Sequence, residues 1–127
     1  MASEGLHEPT DKLKPETVDQ HRAIVSLMEE LEAVDWYSQR VDATADDELR
    51  AILAHNRDEE KEHASMVLEW LRRKDPTFEQ HLKEYLFTTD SIVGREAAAT
   101  GEAPGGAAGA SSDGSLRIGS LKGKAIR

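Results

Sequence analysis

The sequence predicts an all-α fold in which two long antiparallel helices and a short third helix form half of a four-helix bundle. Apolar residues recur every three or four positions along two long segments, the spacing of amphipathic helices. A connection of about three residues joins these segments, and so short a loop favours antiparallel neighbours. No segment indicates a β-strand. The folded part is small for an independent domain, so we expect a second copy to complete the bundle by dimerisation.

The two long helices are predicted at Pro15–Val41 and Ala45–Lys74. Proline suits the first turn of a helix, where its missing N–H would have no partner. Neither Gly nor Pro interrupts the 26 residues after Pro15. Thr44 and Asp47 resemble a capping box at the start of the second helix.

The short third helix is predicted to begin where the second ends. Asp75 precedes a proline and therefore avoids helical dihedral angles, which ends the second helix. The same Asp75 can cap a new helix with Pro76 in its first turn. One face of that helix would carry Phe78, Leu82, Tyr85 and Leu86.

Charge is distributed unevenly along the chain. Residues 1–96 contain 23 acidic and 12 basic side chains, whereas residues 97–127 contain 2 and 4. Of those last 31 residues, 19 are Ala, Gly or Ser, too few apolar groups to offset the entropy of ordering them. We therefore expect a flexible linker and a disordered C-terminal tail.

These features divide the chain into four parts. We assign residues 1–14 to an N-terminal arm, 15–96 to the helical domain, 97–113 to the linker and 114–127 to a terminal segment. In that terminal segment three large aliphatic residues follow a polar stretch, which indicates either a docking peptide or a tail with a few apolar residues. They are Leu116, Ile118 and Leu121.

Composition excludes several classes of function. The net charge of −9 argues against nucleic-acid binding, which needs a basic face, and favours a cationic partner such as a metal ion. The absence of cysteine excludes disulfides and thiolate ligands. No apolar run approaches the ~20 residues of a membrane span, and the N-terminus lacks the pattern of a secretion signal, so we expect a cytosolic protein.

Ionisable residues interrupt the apolar stripe of each long helix. Glu30 lies in line with Ala23, Leu27, Val34 and Tyr37 on the first. Glu60 and His63, at i and i+3, share a stripe with Leu49, Ile52, Leu53, Asn56, Val67, Trp70 and Leu71 on the second. Burying lone carboxylates costs about several kcal/mol per ion, which a bound metal would offset. The alternative is a solvated groove whose acids pair with Arg or Lys.

The ligand set is half of a known arrangement. Carboxylate-bridged di-iron sites in four-helix bundles use one Glu from each of two helices and a Glu-x-x-His pair from each of the others. One chain supplies Glu30 with Glu60 and His63, so two chains related by a twofold axis would supply the full set. Carboxylates with imidazole suit Fe(II), Mn(II) or Zn(II). Two Fe(II) ions could each give one electron to O₂, whereas Zn(II) would fit the site but support no redox chemistry.

Other acidic residues surround this stripe. Glu29 and Glu32 flank Glu30 and, duplicated by symmetry, could form a mouth that attracts cations. A second group, His55, Glu59 and Glu62, shares another face of the second helix. For both groups a solvated helix face is the alternative. Trp36 and Tyr37 are expected to pack, with the Tyr37 hydroxyl able to hydrogen-bond a ligand.

Three motifs resemble a known family. Met28-Glu-Glu-Leu-Glu-Ala-Val-Asp-Trp-Tyr37 and His55-Asn-Arg-Asp-Glu-Glu-Lys-Glu-His63 resemble the encapsulated ferritins, and Gly114-Ser-Leu-Arg-Ile-Gly-Ser-Leu-Lys-Gly123 is similar to the peptide that targets cargo to encapsulin shells. The resemblance covers about residues 7–90 and 112–123. Arg117 stands where that peptide often has a small residue.

The resemblance implies a half-ferritin fold, a ferroxidase activity and an assembly. Glu30, Glu60 and His63 match the family's ferroxidase ligands, which hold two iron ions at each dimer interface, and Tyr37 matches a tyrosine close to the iron. Glu29, Glu32 and Trp36 match residues where metal enters, and His55, Glu59 and Glu62 match a secondary metal site. Dimers would form a ring, expected to be a decamer, inside an encapsulin nanocompartment of the bacterial cytoplasm that stores the ferric product.

Two other classes of function stay open at this point. A protein that binds or buffers metal would use the same ligands without redox turnover. A structural cargo protein would use its helices to oligomerise and its tail to dock. Peroxide instead of O₂ is a variant of the ferroxidase hypothesis.

Overall fold

The computed structural model describes residues 5–99 and is helical, as predicted, with no strand among these residues. After a 3-10 turn at Thr10–Lys12, helix α1 spans Pro15–Ala43 and α2 spans Asp47–Lys74. Helix α3 spans Pro76–Tyr85 and α4 spans Ile92–Ala99. In the described part of the chain, no helix combines the length and apolarity that a membrane crossing would require. Residues from 100 on, including the predicted targeting peptide with Leu116, Ile118 and Leu121, lie outside the described range.

Helices α1 and α2 are antiparallel and pack along each other. Glu30 on α1 lies opposite Glu60 and His63 on α2, whereas Ala23 and Val67 line one shallow depression further along. From the first contact to the second, residue numbers fall on α1 and rise on α2, so the two helices run in opposite directions. The prediction of a long antiparallel pair is therefore confirmed.

The corner between α1 and α2 differs from the prediction in its cap. Asp46, rather than Thr44, accepts a hydrogen bond from the Leu49 amide at 2.8 Å. The Thr44 hydroxyl instead accepts from the Asp46 amide at 3.2 Å, so it belongs to the turn before the cap. Arg50 donates to the Val41 and Thr44 carbonyls, which satisfies groups at the end of α1 that lack helical partners.

The junction of α2 and α3 agrees with the prediction. Asp75 accepts hydrogen bonds from the Thr77 and Phe78 amides at 3.0 and 3.1 Å, with Pro76 in the first turn of α3. Arg72 also spans the junction, because it contacts Glu69 at 2.6 Å and Glu79 at 3.1 Å.

Helix α4 was not predicted. It includes Ala97–Ala99, which the composition assigned to the linker. Ser91 caps it by accepting from the Gly94 amide at 3.0 Å, and Arg95 donates to the Glu84 carbonyl at 2.6 Å. The prediction weighed only the shortage of apolar groups, whereas alanine has the highest intrinsic preference for a helix.

The described residues of one chain contain a very small core. Among them only Ala64 and Leu71 are buried, whereas Ile24, Leu31, Ile52 and Met66 on the long helices are exposed. The residues form two compact units, one ending at Glu79 and one beginning at Gln80. Large apolar side chains exposed along the α1–α2 pair are typical of an interaction surface.

Candidate metal centre

The α1–α2 pair brings the three predicted ligands together. One ligand atom from each of Glu30, Glu60 and His63 lies within 4.8 Å of the other two. Two local features produce this arrangement: the i, i+3 spacing points Glu60 and His63 from one face of α2, and the short corner sets Glu30 of α1 opposite them. Within residues 5–99, no other three His, Asp or Glu side chains come as close.

The distances show how the three side chains interact. His63 Nδ1 lies 3.1 Å from Glu60 Oε1 and 3.9 Å from Glu30 Oε1. The exposed fractions of the side chains are 27% for Glu30, 24% for Glu60 and 42% for His63. The cluster is therefore half-buried and open to the surface of a single chain, where a metal ion or another polypeptide can reach it.

The three side chains shift one another's pKa values. A hydrogen bond with Glu60 raises the pKa of Glu30, and burial adds to that rise. Glu60 keeps its charge because hydrogen bonds with Glu30 and His63 lower its pKa. The hydrogen bond with Glu60 also raises the pKa of His63. A metal ion that bound these atoms would replace their protons, since its ligands must be deprotonated.

The donor set fits a divalent metal that favours oxygen and nitrogen. Two carboxylates and one imidazole are ligands typical of Fe(II), Mn(II) and Zn(II). Three donors leave coordination positions open, and the full di-iron set contains four carboxylates and two imidazoles. In number and kind, the ligands of one chain's cluster match half of that set.

The other predicted site residues lie around the cluster. Glu29 is exposed and its charge contributes to the raised pKa of Glu30, while Glu32 is half-buried. His55, Glu59 and Glu62 are all exposed on α2, and Glu59 contributes to the raised pKa of His63. The roles of the first group in metal entry and of the second group in secondary metal binding remain predictions.

Trp36 and Tyr37 share a contact that the sequence analysis did not assign. The Arg40 guanidinium lies over both rings, with its Cζ 5.2 Å from the Tyr37 centroid and 6.0 Å from that of Trp36. The signal was present in the sequence, because Arg40 follows these aromatic residues by three and four positions on one helix.

The comparisons with known proteins agree with this fold. Residues 5–89 match the EncFtn-like family. The chain is 64% identical to an encapsulated ferritin-like protein of Rhodospirillum rubrum, over 98% of this chain and 93% of that one. It is 52% identical to a ferritin-like protein of Thermotoga maritima over 72% of this chain and 80% of the relative.

Two further similarities concern a cargo protein and a solved structure. Over 47% of this chain and 46% of the relative, the sequence is 40% identical to an encapsulin nanocompartment cargo protein, EncC, of Myxococcus xanthus. The fold is similar to the crystal structure of protein ne0167 from Nitrosomonas europaea, with a TM-score of 0.67 and 67% identity, covering 69% of this chain and 97% of that one. The chain belongs to the EncFtn-like family.

Proposed function

We propose that this protein is a ferroxidase that oxidises Fe(II) to Fe(III) with O₂ at a di-iron site between two subunits. The observation that carries the proposal is the Glu30, Glu60 and His63 cluster, whose donor atoms lie within 4.8 Å of one another. Membership of a family with ferritin-like relatives supports iron over other divalent metals as the substrate.

Exposed apolar side chains support a site shared by two copies. Residues 5–99 of one chain form almost no core of their own, and Ile52, on the same helix as Glu60 and His63, is 53% exposed. Pairing two chains through this face would bury apolar surface and place two half-sets of ligands at a twofold axis. The full set of four carboxylates and two imidazoles would hold two Fe(II) ions as substrate.

Each group in the cluster has a task in this proposal. Glu30 and Glu60 would carry and bridge the two irons, and His63 would be a terminal ligand on each. Carboxylate oxygens favour the more highly charged Fe(III), which lowers the free energy of the oxidised state. Glu29, Glu32 and Trp36 would lie around the path by which iron enters, and Tyr37 would lie close to the iron in the catalytic site.

The activity is tested by following Fe(II) oxidation and oxygen uptake together under air. We expect the parent protein to oxidise Fe(II) well above the buffer blank, with O₂ consumed in proportion. A suitable control is Glu48→Gln, which alters an exposed acid at the start of α2 and should oxidise at the parent rate. Metal uptake without oxygen consumption would identify a metal-buffering protein, and indifference to iron would identify a structural cargo protein.

We further propose that the protein is cargo of an encapsulin shell, in which its rings, expected to be decamers, deliver Fe(III) for storage. The names of two relatives, an encapsulated ferritin-like protein and an encapsulin nanocompartment cargo protein, support this location. The C-terminal motif would supply the docking peptide, and we expect the aliphatic side chains of Leu116, Ile118 and Leu121 to enter an apolar groove on the shell.

Removal of residues 112–127 tests the docking proposal. We expect the truncated protein to oxidise Fe(II) like the parent, because the cluster lies on α1 and α2. It should no longer co-purify with a co-expressed encapsulin shell protein, which is measured by size exclusion and gel analysis of the shell fraction. Co-purification at the parent level would contradict the proposal.

A further inference from the structure

The end of α1 places one cation over two aromatic rings. Arg40 Cζ lies 5.2 Å from the Tyr37 ring centroid and 6.0 Å from that of Trp36, both within the reach of a cation–π interaction. Trp36 is 49% exposed, so the contact is at the surface and does not fill a core. We therefore expect Arg40 to affect the electronic properties of the two rings more than their packing.

The second tryptophan has the same kind of neighbour. Lys74 Nζ lies 5.6 Å from the Trp70 ring centroid. Tyr85 differs, because burial raises its pKa and the charges of Glu96 and Glu84 raise it further, against the opposing charge of Arg95. Both tryptophans of the chain therefore lie against a cation, and one tyrosine has carboxylates nearby for comparison.

A nearby cation opposes the loss of an electron from a ring. One-electron oxidation turns a neutral indole or phenol into a cation, which then repels the fixed guanidinium charge. The phenol of Tyr37 lies on the same face of α1 as Glu30, and seven residues of helix separate them by about 10 Å along the axis. Trp36 and Tyr37 are the only indole and phenol groups on α1, and they lie about two helical turns from Glu30 of the proposed metal centre.

We propose that Arg40 protects Trp36 and Tyr37 from one-electron oxidation. The step it suppresses is the transfer of one electron from the indole to a radical oxidant, such as the hydroxyl radical that Fe(II) and peroxide form. The radical becomes hydroxide, the indole becomes a radical cation, and its N–H proton passes to water to leave a neutral indole radical. The benefit to the protein rests on the proposed function, whereas the protection itself does not.

The test uses an oxidant that contains no metal. Limiting azide radical, generated by radiolysis, takes one electron from an aromatic ring and becomes azide anion, and it carries no charge that Arg40 could attract. The parent, Arg40→Gln and Arg40→Lys are oxidised without iron, and the products at each aromatic residue are quantified by peptide mass spectrometry. Products at Trp70 and Tyr85 serve as internal references.

We expect Arg40→Gln to increase the share of oxidation products at Trp36 and Tyr37 by about fourfold relative to Trp70. This factor is the effect expected from removing the repulsion between one unit charge and the oxidised ring, at the distance of a cation–π contact and in water. Arg40→Lys keeps the charge and should remain within error of the parent. Equal shares in the parent and Arg40→Gln would overturn the proposal. An equal increase in both variants would also overturn it, because it would show that the guanidinium shields the rings by its shape and not by its charge. A failure of Fe(II) oxidation in a separate assay would refute the ferroxidase proposal and leave these results unaffected.

Discussion

Replacing Glu60 by alanine is expected to abolish fast Fe(II) oxidation. Glu60 contacts His63 at 3.1 Å and lies in one cluster with Glu30, so its removal takes away one of the two carboxylates proposed to bridge the irons. The rate should fall by at least about 10- to 100-fold, the loss that even outer-shell changes typically cause at metal sites. Initial rates of aerobic Fe(II) oxidation measure the effect.

Two controls separate loss of the site from loss of the fold. Glu60 is three-quarters buried by side-chain area but lies at an open edge, and its replacement leaves the buried residues Ala64 and Leu71 in place. The helix content from circular dichroism should therefore match the parent. His63→Ala should behave like Glu60→Ala, and a parent rate in either variant would show that the cluster is not the oxidation site.

Replacing Ile52 by aspartate is expected to separate the subunits. Burial of an isoleucine side chain contributes about 1.5–3 kcal/mol to the free energy of association. Because a twofold interface contains each substitution twice, the dissociation constant of the dimer should rise by about 100-fold or more. Sedimentation or light scattering at several protein concentrations would measure this shift.

The same variant links assembly to activity. Because each copy holds half of the proposed ligand set, dissociated Ile52→Asp chains should also lose fast Fe(II) oxidation. Ile52→Leu keeps the volume and the apolar surface, so it should match the parent in mass and rate. An Ile52→Asp protein that stayed assembled would place the subunit interface elsewhere, and one that was monomeric yet active would contradict a shared site.

Local signals predicted most of the fold. These signals act through the dihedral angles and amides of a few neighbouring residues. As predicted, α1 begins at Pro15, and Asp75 caps α3 with Pro76 in its first turn. The predicted cap of α2 was wrong because Thr44, Asp46 and Asp47 lie within four residues and each can act as a cap, and the choice among them depends on how the chain enters the turn.

The candidate site could be predicted because helical geometry controls it. An i, i+3 pair on α2 and a short corner are enough to bring Glu60 and His63 opposite Glu30. Arg40 was missed because the sequence analysis followed carboxylates and imidazoles, although the spacing of Arg40 from Trp36 and Tyr37 already placed all three on one side of α1. The second copy stays a prediction, since a single chain shows the exposed face but not its partner.

The most direct test of the account is to locate iron in the assembled protein. Crystals grown without oxygen and supplied with Fe(II) should give anomalous scattering at the iron absorption edge. The account predicts a pair of iron peaks at a twofold axis between two chains, within coordinating distance of Glu30, Glu60 and His63 from both. Iron held by one chain alone, or at other residues with that cluster empty, would contradict it.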